Sequence, residues 1–109
     1  NETIEKKRLV NTSEISLRKW NKDDIAISVY PNPGSGQFVF DCQSRKTIEQ
    51  AEVFVISLEG KIILNEKINI NGKTFHKSYD ISAHPAGIYV LQLVVEGYVY
   101  SERIVLTKK

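Results

Sequence analysis

The sequence predicts an all-β domain, an immunoglobulin-like Greek-key β-sandwich of about seven antiparallel strands without a disulfide bond. From Ile25 onward, short runs rich in β-branched and aromatic residues alternate with turn residues about every 8 to 12 positions, which is typical of β-sandwiches. The run Gly87–Val95 is apolar on both faces of an extended strand, so we expect it at the centre of a sheet. The single cysteine, Cys42, excludes an internal disulfide.

The composition is that of one domain of ordinary size. The chain has 109 residues, 41% of them hydrophobic, and its 15 basic and 13 acidic residues leave a formal charge of +2. This balance lacks the concentrated basic surface that nucleic acid binding requires. We therefore expect a single hydrophobic core and no nucleic acid partner.

The first 24 residues differ in character from the rest of the chain. Residues 1–24 are polar and charged, and their apolar positions match neither helical nor strand spacing over more than a few residues. We interpret them as a linker or upstream segment, in which the alternation of Ile15 and Leu17 around a serine permits a short strand. Residues 25–109 form the predicted sandwich.

Seven strands are predicted from the strand-like runs between turns. They lie near Ile25–Tyr30, Gln37–Cys42, Gln50–Ser57, Lys61–Ile70, Lys73–Asp80, Gly87–Val95 and Tyr98–Thr107. Tight hairpin turns are expected at Glu59-Gly60, Asn71-Gly72 and Glu96-Gly97, because glycine and asparagine accept positive φ. Longer connections fall at Pro31–Gly36 and Ser82–Ala86, and no segment has a convincing helical period.

Side-chain alternation divides the central strands into an inner and an outer face. The expected core contains Val53, Val55, Tyr89, Leu91 and Leu93, and the outer apolar face consists of Phe54, Ile56, Ile88, Val90 and Val94. Apolar patches of this kind mark contacts. We expect the outer apolar face to be covered by the upstream segment, through Ile15, Leu17 and Trp20, or by a partner chain, self-association included.

Tyr89 is expected to have a structural role. Gly87 precedes it by two residues and Asp80 lies upstream, an arrangement similar to the tyrosine corner, in which the tyrosine hydroxyl bonds back to upstream backbone. We therefore assign Gly87 and Tyr89 to folding rather than to contact with a partner.

The residue patterns of common catalytic, metal and nucleotide sites are missing. His76 and His84 have no cysteine or paired carboxylates at ligand spacing, and no G-x-S-x-G elbow occurs. Gly72-Lys73-Thr74 lacks the first glycine and the following helix of a phosphate-binding loop. Cys42 shares a strand face with two phenylalanines, which favours a buried thiol. The sequence therefore predicts no enzyme, no catalytic residue, no metal and no cofactor.

Three separated clusters carry a resemblance to a known family. They are Tyr30–Phe38 (YPNPGSGQF), Ala86–Leu93 (AGIYVLQL) and Arg103–Lys109 (RIVLTKK). In this order and spacing they closely resemble the C-terminal sorting domain of the type IX secretion system, over residues 25–109. Gly60 fits the glycine turn of that family, whereas Ser57 stands where the family often has an aspartate.

The resemblance implies a sorting signal attached to the C-terminus of a cargo protein of Bacteroidetes-type bacteria. Such a domain passes through the periplasm and is read by an outer-membrane secretion translocon. It is usually removed by a sortase-like peptidase, and the cargo is anchored to the cell surface through an anionic lipopolysaccharide or released. The resemblance implies a processing site somewhere within residues 1–24, beyond which a cargo domain would precede.

The resemblance also implies a set of motif residues. They are Pro31, Asn32, Pro33, Gly36, Gly60, Gly87, Tyr89, Ile104, Val105, Lys108 and Lys109. The sequence leaves open whether the translocon reads the Pro-Asn-Pro turn, the terminal strand or the outer apolar face. Strand addition and charge are both open as the way in which the terminal strand docks.

An alternative function is an immunoglobulin- or fibronectin-like accessory module that binds carbohydrate or acts as a spacer in a secreted protein. Tyr98 and Tyr100 share a strand face, as the aromatics of a sugar-binding platform do. Ile104 and Leu106 lie on that same face, which favours core packing instead. Two aromatic side chains exposed next to each other would support the alternative.

Overall fold

The computed structural model describes residues 20–108, which form one antiparallel β-sheet of five strands. The strands are β1 (Ile25–Tyr30), β2 (Gln37–Ser57), β3 (Ile62–Asp80), β4 (Gly87–Val95) and β5 (Tyr98–Leu106). Their order in the sheet is β1-β2-β4-β5, and β3 pairs with the other edge of β2. The described residues form no helix, and so none that is long and apolar enough to cross a membrane.

The predicted number of strands is wrong, because two predicted boundaries lie inside continuous strands. The predicted strands Gln37–Cys42 and Gln50–Ser57 are both parts of β2, and Lys61–Ile70 and Lys73–Asp80 belong almost entirely to β3. The seven-strand immunoglobulin-like sandwich is therefore not confirmed. The all-β antiparallel architecture is confirmed, and Cys42 is a free, buried thiol.

The dipeptide Asn71-Gly72 does not form the predicted hairpin. Asn71 has the expected positive φ of 50° but lies within β3, and Gly72 pairs with Ile48 of β2. The register of β2 against β3 shifts between Gln43 and Gln50, opposite this point. Because the neighbouring strand continues past the turn signal, the positive φ bends a paired strand instead of reversing it.

The other two predicted turns are confirmed. Glu59-Gly60 lies in the connection of β2 to β3, and Glu96-Gly97 joins β4 to β5. Glu96 has φ 49° and Gly97 has φ 89°, the consecutive positive values that two-residue hairpins require.

The β2–β3 hairpin bends so strongly that its two halves face each other. The Tyr79 hydroxyl donates to Glu66 Oε1 at 2.8 Å, although both residues belong to β3. Thirteen residues of straight strand would separate them by about 40 Å. The strand therefore turns back across the core in the region of Asn71 and Gly72.

The inner faces of all five strands fill one core. It contains Trp20, Ile25, Val29, Phe38, Phe40, Cys42, Ile48, Ala51, Val53, Val55, Ile68, Tyr79, Ile81, Tyr89, Leu91, Leu93, Val95, Tyr100, Ile104 and Leu106. All five predicted core residues are in this set. Burial raises the pKa of the Cys42 thiol to about 11, so the expectation of a buried cysteine is confirmed.

Residues before β1 pack on the sheet. Trp20 is 1% exposed, and Lys46 Nζ lies 5.2 Å from the centre of its ring. The same lysine lies 3.2 Å from the carboxylate of the buried Asp24. The Tyr100 hydroxyl donates to the carbonyl of Asn21 at 2.7 Å. These contacts extend the packed structure upstream of β1, while the domain boundary at residue 25 stays a prediction.

The outer apolar face exists, but Trp20 does not cover it. Its members Phe54, Ile56, Val90 and Val94 are half-buried and Ile88 is exposed. The prediction that Trp20 covers this face is wrong, because its ring is in the core. Ile15 and Leu17 lie outside the described residues, so covering by the upstream segment or by a partner stays a prediction.

Candidate functional site

The connection between β1 and β2 is bonded to the last strand. The Asn32 side chain donates from Nδ2 to the carbonyl of Arg103 at 2.6 Å and accepts at Oδ1 from the amide of Val105 at 2.8 Å. Gly34 donates its amide to the carbonyl of Val105 at 3.0 Å, and its carbonyl accepts from the amide of Thr107 at 2.8 Å. The Thr107 hydroxyl also donates to the Gly34 carbonyl, at 3.2 Å. Five hydrogen bonds therefore join this turn to the end of β5.

The shape of the turn depends on its prolines and on Gly36. Pro31 and Pro33, both preceded by cis peptide bonds, set the backbone around Asn32. Gly36 has φ 120°, and a Cβ on it would lie 2.5 Å from the Cα of Ser82. Only glycine fits at this position. The Gly36 carbonyl then accepts from the amide of Ile81 at 2.8 Å, which joins the turn to the β3–β4 loop.

The start of β4 pairs with the other edge of β5. Gly87 pairs with Leu106, and Tyr89 pairs with Ile104. The Tyr89 hydroxyl donates to the carbonyl of Pro85 at 2.5 Å, which confirms the predicted tyrosine corner. Gly87 has φ 151°, a backbone angle that residues other than glycine rarely adopt. The second motif cluster thus supports the third through the sheet ladder.

The β3–β4 loop contacts the last described residues of the chain. The Lys108 ammonium donates to the carbonyl of Ser82, and the Ser82 amide donates to Asp80 Oδ1 at 2.8 Å. Hydrogen bonds from Ser82 hold the pKa of the exposed Asp80 carboxyl below its ordinary value of 3.8. The loop, the turn and the chain end therefore form one connected surface.

The β2–β3 turn lies beside this surface. Ser57, at the end of β2, pairs with Tyr89, which brings Gly60 near the start of β4. A cavity of about 280 Å³ lies between the β2–β3 turn and the β3–β4 loop and is lined by residues of both. Leu58 is 68% exposed at its border. We call this whole end of the sheet, formed by the β1–β2 connection, the β2–β3 turn, the β3–β4 loop and residues 103–108, the motif end.

A comparison with known protein families identifies the family to which the chain belongs. The family described as "Secretion system C-terminal sorting domain" matches residues 28–107. The chain belongs to this family. No curated protein matches the chain significantly. The resemblance seen in the three clusters is confirmed, and the chain is a type IX secretion C-terminal sorting domain.

Membership of this family has consequences for partners and localisation. A sorting domain of this type implies a preceding cargo domain and the type IX secretion machinery. It also implies export of the cargo to the cell surface or the medium. The family consists of sorting signals and not of enzymes.

The sorting domain brings together every predicted motif residue except Lys109, which lies outside the described residues. Pro31, Pro33, Gly60, Gly87 and Lys108 are exposed, Asn32 and Val105 are half-buried, and Gly36, Tyr89 and Ile104 are buried. The three buried residues lie beneath the surface of the motif end. A direct role of the others in recognition stays a prediction.

Some residues that organise the motif end were not among the predicted site residues. Thr107 and Ser82 both bond to other parts of this end through their backbone. Arg103 accepts the Asn32 bond at its carbonyl, across 71 positions of sequence. No local pattern signals a contact between residues so far apart. A Pro-Asn-Pro triplet indicates a turn but not what the asparagine side chain reaches.

The sorting domain presents no evident metal site in the part that the structure describes. Among residues 20–108, no three histidine, cysteine, aspartate or glutamate side chains lie together in a metal-binding group. His76 is exposed on β3, and His84 is half-buried in the β3–β4 loop. The charged side chains of the motif end include Glu59, Asp80 and Lys108.

Proposed function

We propose that this sorting domain directs an attached cargo protein across the outer membrane through the type IX translocon. The observation that carries the proposal is the convergence of three distant sequence clusters into the motif end. Five hydrogen bonds join the first cluster to the third, and the β4–β5 ladder joins the second to the third. A surface held this rigidly suits recognition by a partner that must identify many different cargoes.

The proposal includes the later fate of the cargo. After passage through the periplasm, a sortase-like peptidase cleaves within residues 1–24, and the cargo is anchored at the cell surface or released. We assign the sorting domain itself no enzymatic activity, because the family it belongs to consists of signals.

The carbohydrate-binding alternative lacks the exposed aromatic platform that it requires. Among residues 20–108, Tyr30 is the exposed aromatic side chain, at 50%. Tyr100 is buried and Tyr98 is half-buried against the core. No pair of neighbouring exposed aromatics is present in the described part of the chain, so we propose no second function.

An export assay tests the proposal. The full chain, residues 1–109, is fused to the C-terminus of a periplasmic reporter in a host that has the type IX system. A second fusion ends at Glu102, which removes the strand segment held by Asn32 and Gly34. We expect the intact fusion to reach the surface or medium and the truncated one to remain in the periplasm.

The folded state and the mass of the reporter complete the assay. Protease resistance of the intact domain shows that it is folded in the periplasm. Retention of a folded intact fusion in the periplasm contradicts the sorting function. Export of a reporter that still carries the whole domain contradicts only the proposed cleavage.

A further inference from the structure

The outer backbone edge of β5 is already occupied at the motif end. Backbone groups of successive residues point to alternate edges of a strand. Those of Arg103, Val105 and Thr107 point away from β4, and the Asn32 side chain and Gly34 backbone bond to them. The Asn32 amide offers one donor and one acceptor, as the backbone of a neighbouring strand would. An incoming strand cannot pair there unless it displaces the turn.

At the motif end, the accessible part of β5 is its outward side-chain face. A groove of about 400 Å³ runs beside the turn and is lined by Asn32, Pro33, Ser101, Glu102, Arg103 and Val105. Pro33 is exposed and Val105 is half-buried, so the groove has apolar walls near the turn. The Glu102 side chain belongs to the other face of β5, because Glu102 pairs with the inward-facing Leu91.

Arg103 places a cation in this groove. Its side chain is exposed and makes no ion pair or hydrogen bond with residues 20–108. Its partner on β4 is the apolar Val90, and the next outward pair is Ile88 with Val105. Val90, Ile88 and Val105 are thus apolar neighbours of Arg103 on its own face, and no acid of the described residues forms an ion pair with it. A carboxylate is the group that such a guanidinium binds best in a protein partner, through two parallel hydrogen bonds.

We propose that the groove between Pro33 and Arg103 is the docking site for an extended acidic segment of the secretion machinery. The partner carboxylate binds the Arg103 guanidinium, and a small apolar side chain packs on Pro33 and Val105. Asn32 is a positioning residue, which holds the strand edge closed and the groove in shape. This inference rests on the proposed sorting function and names the surface and the chemistry through which it acts.

Charge reversal in the reporter fusion tests the inference. Arg103→Glu, Arg103→Gln and Arg103→Lys are compared in the full chain with Lys73→Glu, an equal charge reversal at an exposed position of β3 that does not line the groove. Because a hydrogen bond between charged groups is among the stronger polar contacts in a protein complex, we expect Arg103→Glu to lower export by about tenfold or more. Arg103→Gln should lower it similarly, Arg103→Lys partly, and Lys73→Glu not at all.

Two further measurements distinguish misfolding of the variants, failure of the docking proposal and failure of the sorting function. Purified Arg103→Gln should unfold at the same denaturant concentration as the parent chain, which excludes misfolding as the cause of lost export. If Arg103→Glu and Arg103→Gln are exported normally while the truncated fusion remains in the periplasm, the groove is not the docking site. The proposed sorting function is then unaffected. Retention of the intact parent fusion in the periplasm contradicts the sorting function itself.

Discussion

Individual side chains at the motif end form hydrogen bonds mainly with backbone groups. Asn32 bonds to the backbone of Arg103 and Val105, and Tyr89 bonds to the carbonyl of Pro85. Such bonds fix the path of a chain whatever side chains lie next to it. A short motif can in this way specify the surface of the motif end.

Removal of the Tyr89 hydroxyl tests the tyrosine corner. Tyr89→Phe keeps the buried ring but deletes the bond to Pro85, and we expect a loss of about 1 kcal/mol in the free energy of unfolding. Denaturant unfolding measures it. Tyr98→Phe is the matched control, since the Tyr98 hydroxyl makes no hydrogen bond within residues 20–108. Equal losses in the two variants would show that the corner bond does not stabilise the fold.

The long bent strands are the feature that sequence patterns predicted least well. Alternation is a local property, so it predicted that Val53, Leu91 and Leu93 are buried. Whether Asn71-Gly72 ends a strand depends on the neighbouring strand, and β2 continues past it with a shift of register. The contact of Asn32 with Val105 joins positions 73 apart, which no local pattern specifies.

The bend in β3 depends on the positive φ of Asn71. Asn71→Val places a β-branched residue at φ 50°, and we expect a loss of about 1 to 2 kcal/mol in the free energy of unfolding. Asn69→Val, two positions away at an exposed site in the same strand, should be neutral or slightly stabilising. Denaturant unfolding of both variants measures the two changes in the free energy of unfolding. A neutral Asn71→Val would mean that the bend does not need this backbone conformation.

The contact between the two halves of β3 is pH-dependent. The hydrogen bond from Lys77, followed by that from Tyr79, holds the pKa of Glu66 below its ordinary value of 4.5. Since the folded-state pKa is the lower one, this contact stabilises the fold above about pH 4.5 and is lost as the pH falls through the folded-state pKa.

A comparison of unfolding curves at several pH values tests this contact. Glu66→Gln should be less stable than the parent chain at neutral pH, and the difference should shrink as the pH falls below about 4.5. Glu49→Gln, at an exposed position of β2, should show no such change. A difference for Glu66→Gln that is constant from neutral to acidic pH would contradict the contact.

The fold as a whole is a sheet whose opposite end is packed by residues upstream of β1. Trp20 is buried there beside Lys46, and Asn21 accepts a hydrogen bond from Tyr100. The motif end and the Trp20 end are thus held by different groups of residues. A change at the Trp20 end should affect stability without changing the shape of the motif end.

Truncation of the Trp20 side chain tests this separation. We expect Trp20→Ala to lower the free energy of unfolding by about 3 to 5 kcal/mol, because a buried indole is removed from the core. Val99→Ala, at a position that is 52% exposed, should change it by less than about 0.5 kcal/mol. Denaturant unfolding again measures both. A small effect of Trp20→Ala would place the start of the stable fold at β1.

The joining of the first and third motif clusters is tested by amide hydrogen exchange in the parent chain and in Asn32→Ala. The Val105 amide donates to Asn32 Oδ1, whereas Ile104 in the same segment pairs with β4. We expect the Val105 amide to be protected in the parent chain and to exchange about tenfold faster or more in Asn32→Ala, with Ile104 unchanged. A Val105 amide that exchanges freely in the parent chain, or equally in both, would contradict a motif end held together by Asn32.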